Sequence, residues 1–168
     1  MEIIFGASKN GLETCSVNNT ALHSNYNPQN EANRFVDNLS LDFIPQNIVI
    51  TGPCIPYLVA PLRKKFSNSK IIGIQFSYDF QKYNSLWDYC FYVTKNTRIL
   101  DFHEELFNYL GEENLCTSYF FSWKPSEKPF EQEYKITWKS IKMALDKSMA
   151  IINTRNDFNK TWLYNSLR

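Results

Sequence analysis

The hydrophobic and polar positions of the 168-residue chain first follow the period of short β-strands. Alternating residues within the first 24 positions predict strands at 3–7, 12–17 and 20–23. Asn10-Gly11 predicts a type I′ turn between the first two strands, because both central positions of that turn need positive φ. Asn18-Asn19 is a second candidate turn. The chain is therefore predicted to begin with a β-meander.

A helix is predicted to follow the meander. Asn27 is suited to cap it, Pro28 to occupy its first position, and Glu31 to lie in its first turn. Apolar side chains then recur at helical spacing as far as Leu39, which supports a helix of about three turns.

The middle of the chain alternates between apolar runs and amphipathic stretches. We predict strands at residues 47–51, 70–76, 89–94 and 115–121, and helices at residues 55–66 and 102–110. Pro61 is expected to kink the first of these helices or delay its start, whereas Asp101 is expected to cap the second and Gly111 to end it. Nearly continuous apolar strands are typical of parallel sheets covered on both faces. The predicted fold class is α/β, a Rossmann-like and mostly parallel sheet flanked by helices after the N-terminal meander.

The pattern changes again near the C-terminus. Residues 123–129 (WKPSEKP) are typical of a linker, and apolar positions from Tyr134 to Ile152 then recur every three or four residues, which predicts a long amphipathic helix. Thr154 and Asp157 resemble a capping box and predict a second helix start. We therefore divide the chain into an α/β domain with an N-terminal β-hairpin, residues 1–125, and a helical arm or linker, residues 126–168, which we expect to lead to a further domain.

Composition and charge narrow the class of protein. Hydrophobic residues make up 43% of the chain and its formal net charge is +1, so nothing predicts a nucleic-acid partner. No apolar run reaches the ~20 residues of a membrane span, and Glu2 stands where a signal peptide needs a base. The four cysteines lack zinc or C-x-x-C spacing. We expect a cytoplasmic protein with reduced cysteines and no membrane partner.

The turn after the first buried strand is where an open α/β sheet would bind a ligand. It carries one glycine, whereas a dinucleotide fingerprint needs three and a P-loop needs Gly and Lys. The next strand ends in Gln75 instead of the acid that would hold a ribose. The candidate ligand-binding residues are Gly52, Pro53, Cys54, Tyr57, Gln75 and Asp79. We favour a scaffold over a nucleotide site, favour structural roles for His23 and His103, and predict no catalytic residue, metal or cofactor.

Two segments carry a resemblance to a known family. Residues 22–32 (LHSNYNPQNEA) resemble the "LHS-x-Y-x-P-x-x-EA" segment of motility accessory factor (Maf-type) proteins, and residues 154–165 are similar to their "TR-x-x-F…W-x-x-N" run. Weaker similarity covers residues 48–58 and 123–126. The residues of the first motif are Leu22, His23, Ser24, Tyr26, Pro28, Glu31 and Ala32.

The resemblance implies a place in flagellin glycosylation. Full-length members carry a central domain similar to sialyltransferases and to the MptE-like pterin diphosphokinase, and they transfer nonulosonic sugars from CMP donors to Ser or Thr of flagellin. We expect this chain to end before that domain. It departs from the family at Pro53, Ile55 and Pro56, where the family is glycine-rich, and at Gln75, where the family has an acid. No catalytic residue carries over.

Three functions remain open at this stage. The first is a non-catalytic N-terminal domain that binds flagellin or the catalytic domain. The second is a Rossmann-like domain that binds a nucleotide or S-adenosylmethionine, and the third is an interaction module that forms homo-oligomers through its C-terminal helices. The arm carries a candidate interface, because Phe158, Trp162, Leu163 and Leu167 form an apolar cluster on it. Arg155 and Asn165 complete this candidate interface.

Overall fold

The structure, a computed structural model, describes residues 1–166, and it describes side chains through residue 156. The strands are β1 Ile3–Ala7, β2 Glu13–Val17, β3 Thr20–Ala21, β4 Asn47–Thr51, β5 Lys70–Gln75, β6 Tyr89–Tyr92 and β7 Tyr119–Ser122. The helices are α1 Pro28–Asp37, α2 Val59–Lys65, α3 Ile99–Leu110, α4 Glu112–Cys116, α5 Lys124–Glu127 and α6 Glu131–Ser166, with a 3-10 helix at Tyr78–Leu86.

A four-stranded parallel sheet forms the centre of the fold. Its strand order is β6-β5-β4-β7, so the connection to β7 crosses back to the other side of β4. Every residue of β4 is buried, because side chains cover both faces of the sheet. The predicted α/β class with a mostly parallel sheet is confirmed.

The N-terminal meander forms a separate antiparallel sheet in the order β1-β2-β3. The predicted type I′ turn at Asn10-Gly11 is wrong, because only Gly11 has positive φ (86°). Instead, the Ser8 amide donates to the Leu12 carbonyl at 2.8 Å, which closes a longer loop with glycine in the left-handed position. Both residues of Asn18-Asn19 have positive φ, so the two-residue turn lies there.

Several predicted element boundaries are also wrong. Helix α3 begins at Ile99 and is preceded by Arg98 at the cap position, so Asp101 lies within its first turn. The strand predicted at 115–121 begins only at Tyr119, because residues 112–116 form α4. The 3-10 helix was not predicted. Helix α2 begins at Val59 and not at residue 55, which agrees with the delayed start expected from Pro61.

Residues 123–129 are not a linker. They form α5 and the entry to α6, and Trp123 and Ser126 are buried in the interior. The predicted helix restart is also wrong, since α6 runs without a break through residues 154–157 and the Thr154 hydroxyl donates to the Ala150 carbonyl. Among the described residues, no helix has the length and apolar character needed to cross a membrane.

Candidate functional site

The turn after β4 lies at the carboxyl end of the sheet, and side chains from other parts of the chain pack against it. Gly52 and Cys54 both have φ of +61°, so the chain reverses sharply there. A Cβ atom on Gly52 would lie 2.3 Å from the Ser126 hydroxyl oxygen and 2.7 Å from the Phe76 ring. The chain's own side chains therefore occupy the space directly above this turn.

Gln75 holds the same turn from the neighbouring strand. Its side-chain oxygen accepts a hydrogen bond from the Cys54 amide at 3.1 Å, and its Nε2 donates to the Cys54 carbonyl at 2.8 Å. Gln75 is fully buried. A carboxylate could not donate the second hydrogen bond, which explains physically why an amide stands at this position.

His23 connects the meander to this turn. Its Nε2 accepts from the Ile55 amide at 3.0 Å, and its ring stacks on Trp123 at 5.6 Å and meets Tyr57 edge-on at 5.4 Å. Burial lowers the pKa of His23 to about 3. The imidazole is therefore neutral near pH 7, and accepting at Nε2 assigns its proton to Nδ1. His23 fixes the position of the turn as a structural acceptor.

The remaining polar residues of the 22–32 segment shape its loop. The Ser24 hydroxyl accepts from the amides of Tyr26 and Asn27, and Glu31 reaches back to accept from the Ser24 amide at 2.8 Å. Burial raises the pKa of Glu31, while the Ser24 amide acts in the opposite direction. Asn27 caps α1 by accepting from the Asn30 amide at 2.9 Å, as predicted.

Apolar positions of the same segment anchor it to the body. Leu22, Pro28 and Ala32 are buried, and the Trp123 indole donates to the Leu22 carbonyl at 2.9 Å. Tyr26 is 64% exposed and is the one motif side chain that faces solvent. The motif thus folds as a structural unit around the start of α1.

Burial keeps the two thiols near the turn in their protonated form. Burial raises the pKa of Cys54 well above its usual range and raises the pKa of Cys15 to about 12. A cysteine nucleophile must be a thiolate, so neither residue is activated. Within the described part of the chain, no three His, Cys, Asp or Glu side chains cluster closely enough to hold a metal ion.

Other predicted site residues lie at different places. Pro53 is buried in the turn, whereas Asp79 is exposed at the start of the 3-10 helix, where its amide donates to the Ser77 hydroxyl. Tyr57 is half-buried, and its hydroxyl donates to the Glu13 carbonyl at 2.5 Å. The structure therefore brings five of the six candidates to the turn, where they mainly bond to the chain itself.

Replacing Tyr57 with phenylalanine tests whether it stabilises the contact between the meander and the turn. The variant leaves the Glu13 carbonyl without its donor, so we expect the free energy of unfolding to fall by about 1 kcal/mol in urea denaturation. Tyr26→Phe is the control, because that side chain is exposed and its loss should change stability by less than about 0.5 kcal/mol. Equal effects in the two variants would contradict the role given to Tyr57.

The sequence analysis missed one buried acid, Glu133. It is 4% exposed at the start of α6 and lines a separate cleft beside the ends of β5 and β6. Helical spacing offers a signal, because residue 133 lies two turns before Ile141 and on the same face. The apolar face predicted for this helix began only at Tyr134, so Glu133 was not identified.

The candidate interface on the arm is described only in part. Arg155 pairs within the chain, with Glu112 and, at 3.6 Å, with Glu113. Four of its other members lie beyond residue 156, where side chains are not described: Phe158, Trp162, Leu163 and Asn165. Leu167 lies beyond the described residues.

Comparisons with known proteins give one partial match. No family model matches the chain, and no solved structure matches it. The chain is similar to an uncharacterized protein of Treponema pallidum (strain Nichols), 32% identical over 66 residues. The match covers 39% of this chain and 15% of that protein.

Proposed function

We propose that this chain is a non-catalytic α/β domain of a Maf-type protein and serves flagellin glycosylation in the cytoplasm. One structural observation carries the non-catalytic part of the proposal, namely the packing of the turn after β4, and the resemblance of residues 22–32 and 154–165 supports the family. That turn would be the first place for a ligand in an open α/β sheet. Ser126 and Phe76 fill the space above it, and Gln75 and His23 already bond to its backbone.

Two further observations support the proposal. The 22–32 segment, which carries the resemblance to Maf-type proteins, acts as one structural unit that includes Ser24, Asn27 and Glu31. In addition, the Treponema protein is several times longer than the segment it shares with this chain. The first observation keeps the residues that carry the resemblance in one folded segment, and the second favours a domain that works together with others.

The partner surface is proposed on the later turns of α6. Up to Ser148 the helix has buried side chains, including Ile141 and Ala144, which pack on the body. From Met149 through residue 156 no described side chain is buried. We therefore assign this stretch, with Arg155, to contact with flagellin or with the catalytic domain.

A binding and transfer experiment tests the proposal. The chain alone should transfer no sugar from a CMP-nonulosonic acid to flagellin, yet it should bind immobilised flagellin or a Maf-type central domain with saturation. Met149→Glu should weaken that binding at least fivefold, whereas Leu100→Glu, an equally exposed position on α3, should leave it unchanged. Absence of saturable binding to both partners, or sugar transfer by the chain alone, would contradict the proposal.

A further inference from the structure

A cleft of about 320 Å³ opens beside the ends of β5 and β6. Phe76 and Ser77 come from the end of β5, Thr94 and Lys95 follow β6, and Phe130 and Glu133 come from the start of α6. The cleft is thus at the carboxyl edge of the parallel sheet, where open α/β folds bind their ligands. Its volume is at the lower end of the range for small-molecule sites.

Glu133 is the unusual residue of this cleft. The side chain is 4% exposed, and its Oε2 atom has no hydrogen-bond partner among the described residues. Thr137, one helical turn further on the same face, also has a buried hydroxyl that finds no partner in the described part of the chain. The N-terminal turn of α6 favours a negative charge there, but it supplies no donor to Oε2. A buried carboxylate oxygen without a donor is unfavourable, so Oε2 is available to a hydrogen-bond donor on a bound molecule.

The rest of the cleft limits what that partner can be. The Ser77 and Thr94 hydroxyls already accept backbone hydrogen bonds, from the Asp79 and Asn96 amides. Lys95 is exposed and makes no ion pair within the described part of the chain. A ligand with hydrogen-bond donors at one end and a negative charge at the other would match Glu133 and Lys95. A ribose with a phosphate group has this arrangement.

We propose that this cleft binds a nucleoside monophosphate, with Glu133 accepting hydrogen bonds from the ribose hydroxyls and Lys95 contacting the phosphate. A carboxylate holds the ribose of dinucleotides in the same way in many α/β folds, where it comes from the end of a strand. Here Gln75 ends the corresponding strand because it must hold the Cys54 turn, and α6 supplies the acid instead. The proposal does not rest on a role in glycosylation.

Titration calorimetry of the full chain against AMP, GMP, CMP and UMP tests this site. The purification tag should be C-terminal, since Met1 also lines the cleft. At least one nucleotide should bind with saturation and raise the melting temperature. Its 2′,3′-dideoxy form should bind at least tenfold more weakly, and inorganic phosphate alone should bind more weakly than the nucleotide.

Glu133→Gln should also weaken binding at least tenfold without lowering the melting temperature of the ligand-free protein. Glu131→Gln is the matched control, because Glu131 is two residues away but exposed and paired with Lys135. Three results would each overturn the proposal: no binding of any of the four nucleotides, equal binding of the dideoxy form, or equal losses in the two glutamine variants. Failure to bind flagellin would leave these expectations unchanged.

Discussion

Gly52→Ala is expected to destabilise the protein by about 4 kcal/mol, as measured by urea denaturation. The new methyl group would lie 2.3 Å from the Ser126 hydroxyl oxygen and 2.7 Å from the Phe76 ring, and φ of +61° is unfavourable for alanine. Neither neighbour can move easily, because both are buried and the Ser126 hydroxyl donates to the Trp123 carbonyl. The cost therefore combines overpacking with backbone strain.

Gly6→Ala is the matched control for this experiment. No heavy atom lies within 4 Å of a Cβ at Gly6, and its φ is not positive. We expect its free energy of unfolding to stay within about 0.5 kcal/mol of the wild-type value. If Gly52→Ala were equally mild, the turn after β4 would have open space above it, and the argument for a packed turn would fail.

The stability of the protein is expected to fall as the pH decreases from 6.5, and His23 is the main cause. Its pKa is about 3 in the folded protein, against an ordinary value of 6.5. Above pH 6.5 neither state binds a proton at His23, so its contribution is fully present. At lower pH the unfolded chain takes up a proton that the folded protein cannot accept. The free energy of unfolding should then decrease by up to about 1.4 kcal/mol per pH unit, or about 4 kcal/mol by pH 3.

Urea denaturation between pH 7.5 and 5 measures the slope of the free energy of unfolding against pH. His23→Gln should remove most of it, because an amide oxygen can still accept from the Ile55 amide but does not titrate in this range. His103→Gln removes the other histidine of the chain and should retain the slope. A His23→Gln protein with an unchanged pH dependence would contradict a buried, neutral imidazole.

The elements that could be predicted from the sequence are those with strong local patterns. Strand β4 is an apolar run covered on both faces, and α1 carries Asn27, Pro28 and Glu31 at its start. The delay of α2 follows from Pro61, since proline lacks the amide that a helix interior needs. In each case the information lies within a few residues of the element.

Elements decided by distant contacts could not be predicted. Leu115 and Cys116 are apolar and stand at the start of the predicted strand, but residues 112–116 form a helix that packs on α6, where Ser148 donates to the Glu112 carbonyl. The sequence around Trp123 is typical of a linker, but in the fold its indole donates a hydrogen bond to the carbonyl of Leu22, which lies 101 residues earlier in the chain. The packing partners, and not the local pattern, determined these two segments.

The candidate site shows the same division. Gly52 to Tyr57 could be identified from the position of the turn after a buried strand. The bonds that close the turn join residues 21 and 32 positions apart, Cys54 with Gln75 and Ile55 with His23. Glu133 reaches the cleft only because α6 folds back onto the body. The sequence therefore identified the position of the candidate turn, whereas contacts between distant residues determine whether that turn can bind a ligand.

Hydrogen exchange of the Cys54 and Ile55 amides, followed by NMR, tests the central claim most directly. In a turn that binds phosphate these amides would be free donors. In this protein they donate to Gln75 and His23 inside the core, so they should exchange only on global unfolding, as slowly as the amides of β4. Exchange at rates typical of open loops would contradict the account of a packed structural turn.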